Sequence, residues 1–190
     1  GRFRSEGTLS RLAVDADLTG DLGGVRAEGF VTLLPPKWGA DGLRLRFTRF
    51  DLATLSGGTL STSLAGELHA TGSIDTLRAP DGEVELSLTR SRVREWTLDS
   101  LFGRGGVHDS VIRVDTAYAE WQGARAAGGG TLGWRAPHDG RMRFDLAADS
   151  LIGFDSLLFA VTRQKRDTSG EARPLSGRAA GRVDLTGSLD

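Results

Sequence analysis

Apolar and polar side chains alternate along most of this 190-residue chain. In the clearest stretch, Val84, Leu86 and Leu88 alternate with Glu, Ser and Thr side chains. The same two-residue period recurs in three further stretches, with apolar positions at Leu12, Val14, Ala16, Leu18, Leu43, Leu45, Phe47, Met142, Phe144, Leu146 and Ala148. Because successive side chains of a β-strand point to opposite faces, the pattern predicts strands with one apolar and one hydrophilic face.

Turn-forming residues separate these stretches at the spacing of consecutive antiparallel strands. We predict turns at Gly23-Gly24, Pro35-Pro36, Asp41-Gly42, Gly57-Gly58, Pro80-Asp81-Gly82, Gly105-Gly106 and Pro137-His138-Asp139-Gly140. The predicted fold class is therefore all-β, with about 10 to 13 strands. Residues 93–102 fit either a helix or a strand, and we favour a strand. The charged, aperiodic stretch 163–173 predicts a loop or hairpin tip.

An 11-residue segment occurs twice. Residues 65–75 (AGELHATGSID) and 180–190 (AGRVDLTGSLD) are identical at 6 of 11 positions, and three more positions exchange one apolar residue for another. In both copies a glycine follows the alternating positions, where a strand can bend. We therefore expect a fragment of a longer repetitive protein, with residues 1–190 forming one continuous β-structure of approximate repeat units 1–63, 64–174 and a truncated 175–190.

Four segments, taken in order along the chain, follow a pattern of a glycine-containing strand, a Gly-Ser-apolar-Asp turn and a closing Gly-x-Leu-Gly strand. They are residues 64–68 (LAGEL), 71–75 (TGSID), 80–84 (PDGEV) and 126–134 (AAGGGTLGW). This pattern resembles the AsmA-like superfamily of bacterial envelope proteins, and within it the translocation and assembly module B (TamB) group. The resemblance covers most of the chain.

The resemblance implies an elongated antiparallel β-sheet curled into a taco-shaped groove with an apolar interior. It also implies a periplasmic protein of a diderm bacterium, anchored to the inner membrane through a segment absent from this chain. Such proteins are implicated in transferring phospholipid between the inner and outer membranes and in outer-membrane protein assembly. The implied partners are phospholipid and an outer-membrane barrel protein, the latter contacted through parts outside this segment.

In such a groove, the apolar positions of successive strands contact lipid. We predict as groove-lining residues Leu43, Leu45, Phe47, Val84, Leu86, Leu88, Ile112, Val114, Met142, Phe144 and Leu146. Each methylene group removed from water gains about 0.8 kcal/mol, so an acyl chain prefers this wall to water. The alternative is a non-catalytic β-sandwich or β-solenoid, a structural or interaction module in which the same residues fill a dry core.

Composition narrows the possible partners and chemistry. With 24 basic and 25 acidic side chains the formal net charge is -1, so we do not expect nucleic acid as a partner. The chain has no cysteine, which excludes disulfides and thiolate metal sites. His108-Asp109-Ser110 carries the residue types of a catalytic triad, but neighbours in a strand point to opposite faces. We therefore expect no catalytic residue, metal or cofactor, and a protein that is not an enzyme.

Overall fold

The computed structural model describes residues 1–53, 61–75, 80–93, 96–134, 139–149 and 177–188. The described residues form eleven β-strands. These are β1 (Arg2–Thr8), β2 (Arg11–Gly20), β3 (Gly23–Leu34), β4 (Lys37–Phe50), β5 (Thr62–Asp75), β6 (Asp81–Val93), β7 (Trp96–His108), β8 (Val111–Trp121), β9 (Ala124–Gly133), β10 (Gly140–Ala148) and β11 (Ala179–Gly187).

All eleven strands belong to one antiparallel sheet, and each strand pairs with the next along the chain. The sheet is not closed, so β1 and β11 are its two edges. At about 4.8 Å between neighbours, the ten intervals extend the sheet by about 48 Å across its strands, measured along its curve. The predicted all-β fold, an elongated antiparallel sheet curled into a groove, is confirmed, and the described strands form one sheet rather than the two of a sandwich.

Some predicted turns lie at strand boundaries. Pro35-Pro36 joins β3 to β4, and Pro80 immediately precedes β6. The turn predicted at Gly23-Gly24 is wrong by two residues, because Asp21 and Leu22 connect β2 to β3 and both glycines belong to β3. The strand favoured for 93–102 is also confirmed in its described part, since β6 ends at Val93 and β7 begins at Trp96. The turns predicted at residues 57–58 and 137–138 and the loop predicted at 163–173 lie outside the described residues.

The turn predicted at Asp41-Gly42 is wrong, because both residues lie inside β4. The pairing of β4 with β5 shifts register between Ala40 and Leu43, and Gly42 has a φ of 60°. Its amide donates a hydrogen bond to Thr71 Oγ1 at 3.1 Å. The glycine therefore marks a β-bulge, in which a left-handed residue bends the strand without ending it.

The turn predicted at Gly105-Gly106 is also wrong, because both glycines lie inside β7. A Cβ atom on Gly105 would collide with the carbonyl oxygen of Arg113 in β8. The glycine permits the close approach of a neighbouring strand, which is the other common reason for glycine inside a sheet.

Further bulges bend the middle strands. The register shifts once more in β4, where Arg49 has a φ of 50°, and in β6, where Arg90 has a φ of 44°. A shift in β8 falls between Val114 and Ala117 and affects its pairing with β9. Bulges increase the local twist of a sheet and bend it, which accounts for the curl of the central strands.

Candidate functional site

A row of directly paired residues crosses all eleven strands and contains no polar side chain. Paired residues of neighbouring strands point to the same face of a sheet. The row, which we call the central row, consists of Phe3, Ala16, Ala27, Leu45, Leu68, Leu86, Gly103, Ala117, Gly128, Phe144 and Val183. An apolar stripe therefore runs perpendicular to the strands from one edge of the sheet to the other.

Two neighbouring rows on the same face are equally apolar. One consists of Leu18, Val25, Phe47, Gly66, Leu88, Leu101, Ala119, Ala126, Leu146 and Gly181. The other consists of Leu43, Ala70, Val84, Gly105, Val114, Gly130, Met142 and Leu185. Together the three rows form a continuous apolar face several residues wide.

The two copies of the sequence repeat occupy the same rows of the sheet. Leu68 of the first copy and Val183 of the second both lie in the central row, six strands apart. Gly66 and Gly181 likewise share one of the neighbouring rows. Residues 189–190 of the second copy lie outside the described part of the chain. Equivalent residues of the two copies therefore lie in the same cross-strand row of the apolar face.

The opposite face is charged. One of its cross-strand rows reads Arg4, Asp15, Glu28, Arg44, His69, Glu85 and Arg104. Ion pairs join neighbouring strands on this face, among them Arg46 with Glu67 at 2.6 Å and Arg182 with Asp145 at 2.7 Å. Ion pairs between exposed side chains such as these contribute little to stability, because water and salt screen them. The charged side chains therefore lie on one face of the sheet and the apolar rows on the other.

The apolar face of the central strands is concave and carries a cavity of about 650 Å³. The described strands pack mainly against their sheet neighbours, and their few contacts beyond these are most numerous between β9 and β11, so no second layer of described strands covers this face. Val84 is 43% exposed although it lies in the middle of the sheet. The cavity has the size of a small-molecule site but opens along one side.

The residues predicted to line a groove all lie on the apolar face, but only some of them line the cavity. Val84, Leu86, Ile112 and Val114 line it. The other predicted residues lie on the same face outside the cavity lining: Leu43, Leu45, Phe47, Leu88, Met142, Phe144 and Leu146. The cavity is therefore confined to β4–β8, although the apolar rows continue beyond them.

Several cavity residues were missed by the sequence analysis, chiefly those of β7. Its inward positions are Leu101, Gly103, Gly105 and Val107, and three of these line the cavity. Because two of the inward residues are glycine, no apolar alternation was visible, and Gly105 was assigned to a turn. Counting glycine as an apolar residue reveals the two-residue period. Trp38, Ile74 and Ala117 were missed as well.

A smaller polar cavity adjoins one end of the apolar one and shares Ser73, Pro80 and Asp81 with it. The imidazole of His108 contacts two residues that line this cavity, with Nδ1 2.6 Å from Asp81 Oδ2 and Nε2 3.5 Å from Asp109 Oδ2. Asp109 and Ser110 form the turn between β7 and β8, both with positive φ. Thus the closest carboxylate to His108 belongs to β6 rather than to the sequence neighbour Asp109.

Hydrogen bonds fix the strands that carry the cavity. Asp51 Oδ1 accepts hydrogen bonds from the amides of Thr62 at 2.8 Å and Ala53 at 3.0 Å, and these bonds lower the pKa of the Asp51 carboxyl. They tie the end of β4 to the start of β5. On the charged face, the hydrogen bond from Arg46 lowers the pKa of Glu67. Both carboxylates are structural links rather than groups directed into the cavity.

The described residues hold no group of three or more His, Cys, Asp or Glu side chains that could bind a metal ion. They also contain no helix long and apolar enough to cross a membrane. Comparison with known proteins identifies no family for the chain, since no family model, curated protein or solved structure matches it.

Proposed function

We propose that the concave apolar face binds acyl chains and that the protein conducts phospholipid between the inner and outer membranes of a diderm bacterium. Catalysis plays no part in this proposal. The observation that carries it is the central row: eleven directly paired positions, one on each strand, with no polar side chain among them. A periplasmic location and a contribution to outer-membrane protein assembly follow from the sequence resemblance and belong to the same proposal.

The direction of the rows explains why a groove of this kind suits transfer. An acyl chain that lies along a row meets an apolar side chain or a glycine at every strand, so one side of it is shielded from water as it moves. Its burial gains about 0.8 kcal/mol per methylene group wherever it lies. Because no position in the row offers a polar group that would bind the chain more tightly than its neighbours do, the free energy of binding has no deep minimum at any one strand. The charged outer face keeps the sheet hydrated.

Replacing Leu86 by Glu tests the proposal, because Leu86 lies in the central row and lines the cavity. We expect Leu86→Glu to weaken the binding of a fluorescent phospholipid at least tenfold, since the carboxylate interrupts the apolar wall. The protein should remain folded, with stability reduced by about 1 to 2 kcal/mol because Leu86 is only half-buried. Titration of the lipid into purified protein and urea unfolding measure the two effects.

The matched control is Thr89→Glu, which places the same charge on the same strand but on the opposite, exposed face. This variant should bind the phospholipid as the wild type does. Unchanged binding by a folded Leu86→Glu variant contradicts the proposal. Global unfolding of that variant, with no lipid binding by the wild type, supports a dry-core interaction module instead.

A further inference from the structure

Gly103 occupies the floor of the cavity in the middle of β7. It lies in the central row, directly between Leu86 of β6 and Ala117 of β8. Glycine weakens the interior of a strand, because it loses more conformational freedom than other residues and contributes no side chain to packing. A glycine in this position therefore requires a reason.

The backbone conformation of residue 103 does not require glycine. Gly103 does not adopt a positive φ in the left-handed region, and it pairs directly with Leu86 and Ala117. The register shift between β7 and β8 falls after it, between Arg104 and Gly105. A Cβ atom added to it would meet no described heavy atom within 4 Å. Gly105, two residues further on the same face, differs in this respect because its Cβ atom would strike the carbonyl oxygen of Arg113.

Glycines inside strands mark bulges, tight bends, or places where another backbone or a ligand approaches closely. Neither a left-handed φ nor a neighbouring backbone requires glycine at residue 103, and the residue lines the cavity, so we attribute the glycine to the close approach of a ligand. The space that a side chain would fill is continuous with the cavity, between the larger side chain of Leu86 and the small one of Ala117. Any substitution would make the cavity shallower at this point.

We propose that Gly103 determines the specificity of the acyl cavity, and that the depth it leaves admits methyl-branched as well as straight acyl chains. The inference rests on the proposed function, since it concerns the ligand of the same site. A methyl branch directed at the floor occupies the volume left by the absent side chain. With a side chain at residue 103, a straight chain still lies along the row but a branched chain is lifted from it.

The test compares a straight and a methyl-branched fatty acid of equal carbon number, bound to purified protein. The variants are Gly103→Ala and Gly103→Val, with Gly181→Val as the matched control. Gly181 also lies on the apolar face with no described heavy atom near its added Cβ, but it belongs to β11, outside the cavity lining. All three variants should be at least as stable to urea as the wild type.

We expect the wild type and Gly181→Val to bind both fatty acids. Gly103→Ala should bind the branched acid about tenfold more weakly while the straight acid changes by less than about threefold, and Gly103→Val should bind both weakly. An unchanged ratio of the two affinities in folded Gly103→Ala overturns the inference. So does unfolding of Gly103→Ala alone, which would show that the glycine is structural. Failure of the wild type to bind either acid instead refutes the proposed function itself.

Discussion

Two glycines of the central row, Gly103 in β7 and Gly128 in β9, have opposite surroundings. A Cβ atom on Gly103 would point into the open cavity, whereas one on Gly128 would lie 2.7 Å from Phe144 Cδ1 and would strike the carbonyl oxygen of Arg143. The ring of Phe144 thus lies over Gly128. Alternation places both glycines on the apolar face, but the size of the next residue in the row decides whether a cavity remains.

The comparison shows that the apolar face has two parts, one with open space above the sheet and one in which side chains fill that space. Over β4–β8, small residues leave a cavity. Over β9 and β10, the side chains of β10 pack against the glycines of β9. Phe144 covers Gly128, and Met142, which pairs with Gly130, is only 6% exposed. Filling a space that is already occupied should therefore damage the fold, while filling the cavity should affect ligand binding alone.

The largest effect is expected from the same substitution at the two glycines. Gly128→Val should destabilise the protein by about 3 kcal/mol or prevent folding, because the new side chain meets both backbone and the Phe144 ring. Gly103→Val should leave the free energy of unfolding unchanged or raise it by up to about 1 kcal/mol, because nothing obstructs the new side chain and the unfolded chain loses conformational freedom. Urea unfolding followed by circular dichroism gives both values. Equal losses in the two variants would remove the distinction between the two parts of the face.

Removing the ring of Phe144 should have an intermediate effect. Phe144→Ala should cost about 2 kcal/mol of stability, less than for a fully buried Phe, since the ring is only partly buried. It should also extend the cavity over β9, so that longer alkyl chains bind more tightly than they do to the wild type. Binding of alkyl maltosides of increasing length measures this extension. If the preferred length stays the same, Phe144 does not end the cavity.

The smallest expected effect is a local loss of stability of the edge strand β11 at low pH. Hydrogen bonds from Arg143 at 2.9 Å and from Arg141 at 3.2 Å lower the pKa of Asp184. A lowered folded-state pKa stabilises the fold above the unfolded-state value of about 3.9 and loses that effect as the pH falls through the folded value. Protection of the β11 amides from exchange should therefore fall below about pH 4 relative to that of β9, a strand that contains no carboxylate.

Replacing Asp184 by Asn is the control for this acid effect. The variant should show weaker protection of β11 at neutral pH and little further loss of protection in acid from this site. A loss of β11 protection in acid that is as large in Asp184→Asn as in the wild type would assign the effect to other carboxylates.

The face of each strand was predictable from sequence, whereas the shape of that face was not. Val84, Leu86 and Leu88 alternate with hydrophilic residues, so their common face follows from the geometry of a strand. The bulge at Gly42 and the interior position of Gly105 could not be distinguished from turns, because glycine suits both a turn and the close approach of two strands. The distinction depends on which residue lies opposite in the neighbouring strand.

The cavity depends on residues even further apart in sequence. Gly103, Ala117 and Phe144 belong to three strands, and their relation becomes visible only when the register of each pair is known. Register is set by the hairpin turns and bulges, one of which falls in β8 between Val114 and Ala117. Sequence alternation alone fixes neither the number of bulged residues nor their position.

Site-specific photo-cross-linking to phospholipid in living cells tests the central claim most directly. A photoreactive amino acid at Val84, which lines the cavity and is 43% exposed, should form a covalent adduct with phospholipid. The same amino acid at Thr89, on the opposite face of the same strand, should form none. Adducts at both positions in equal yield, or none at Val84 in a protein that remains folded, would contradict the proposal that the concave apolar face binds acyl chains.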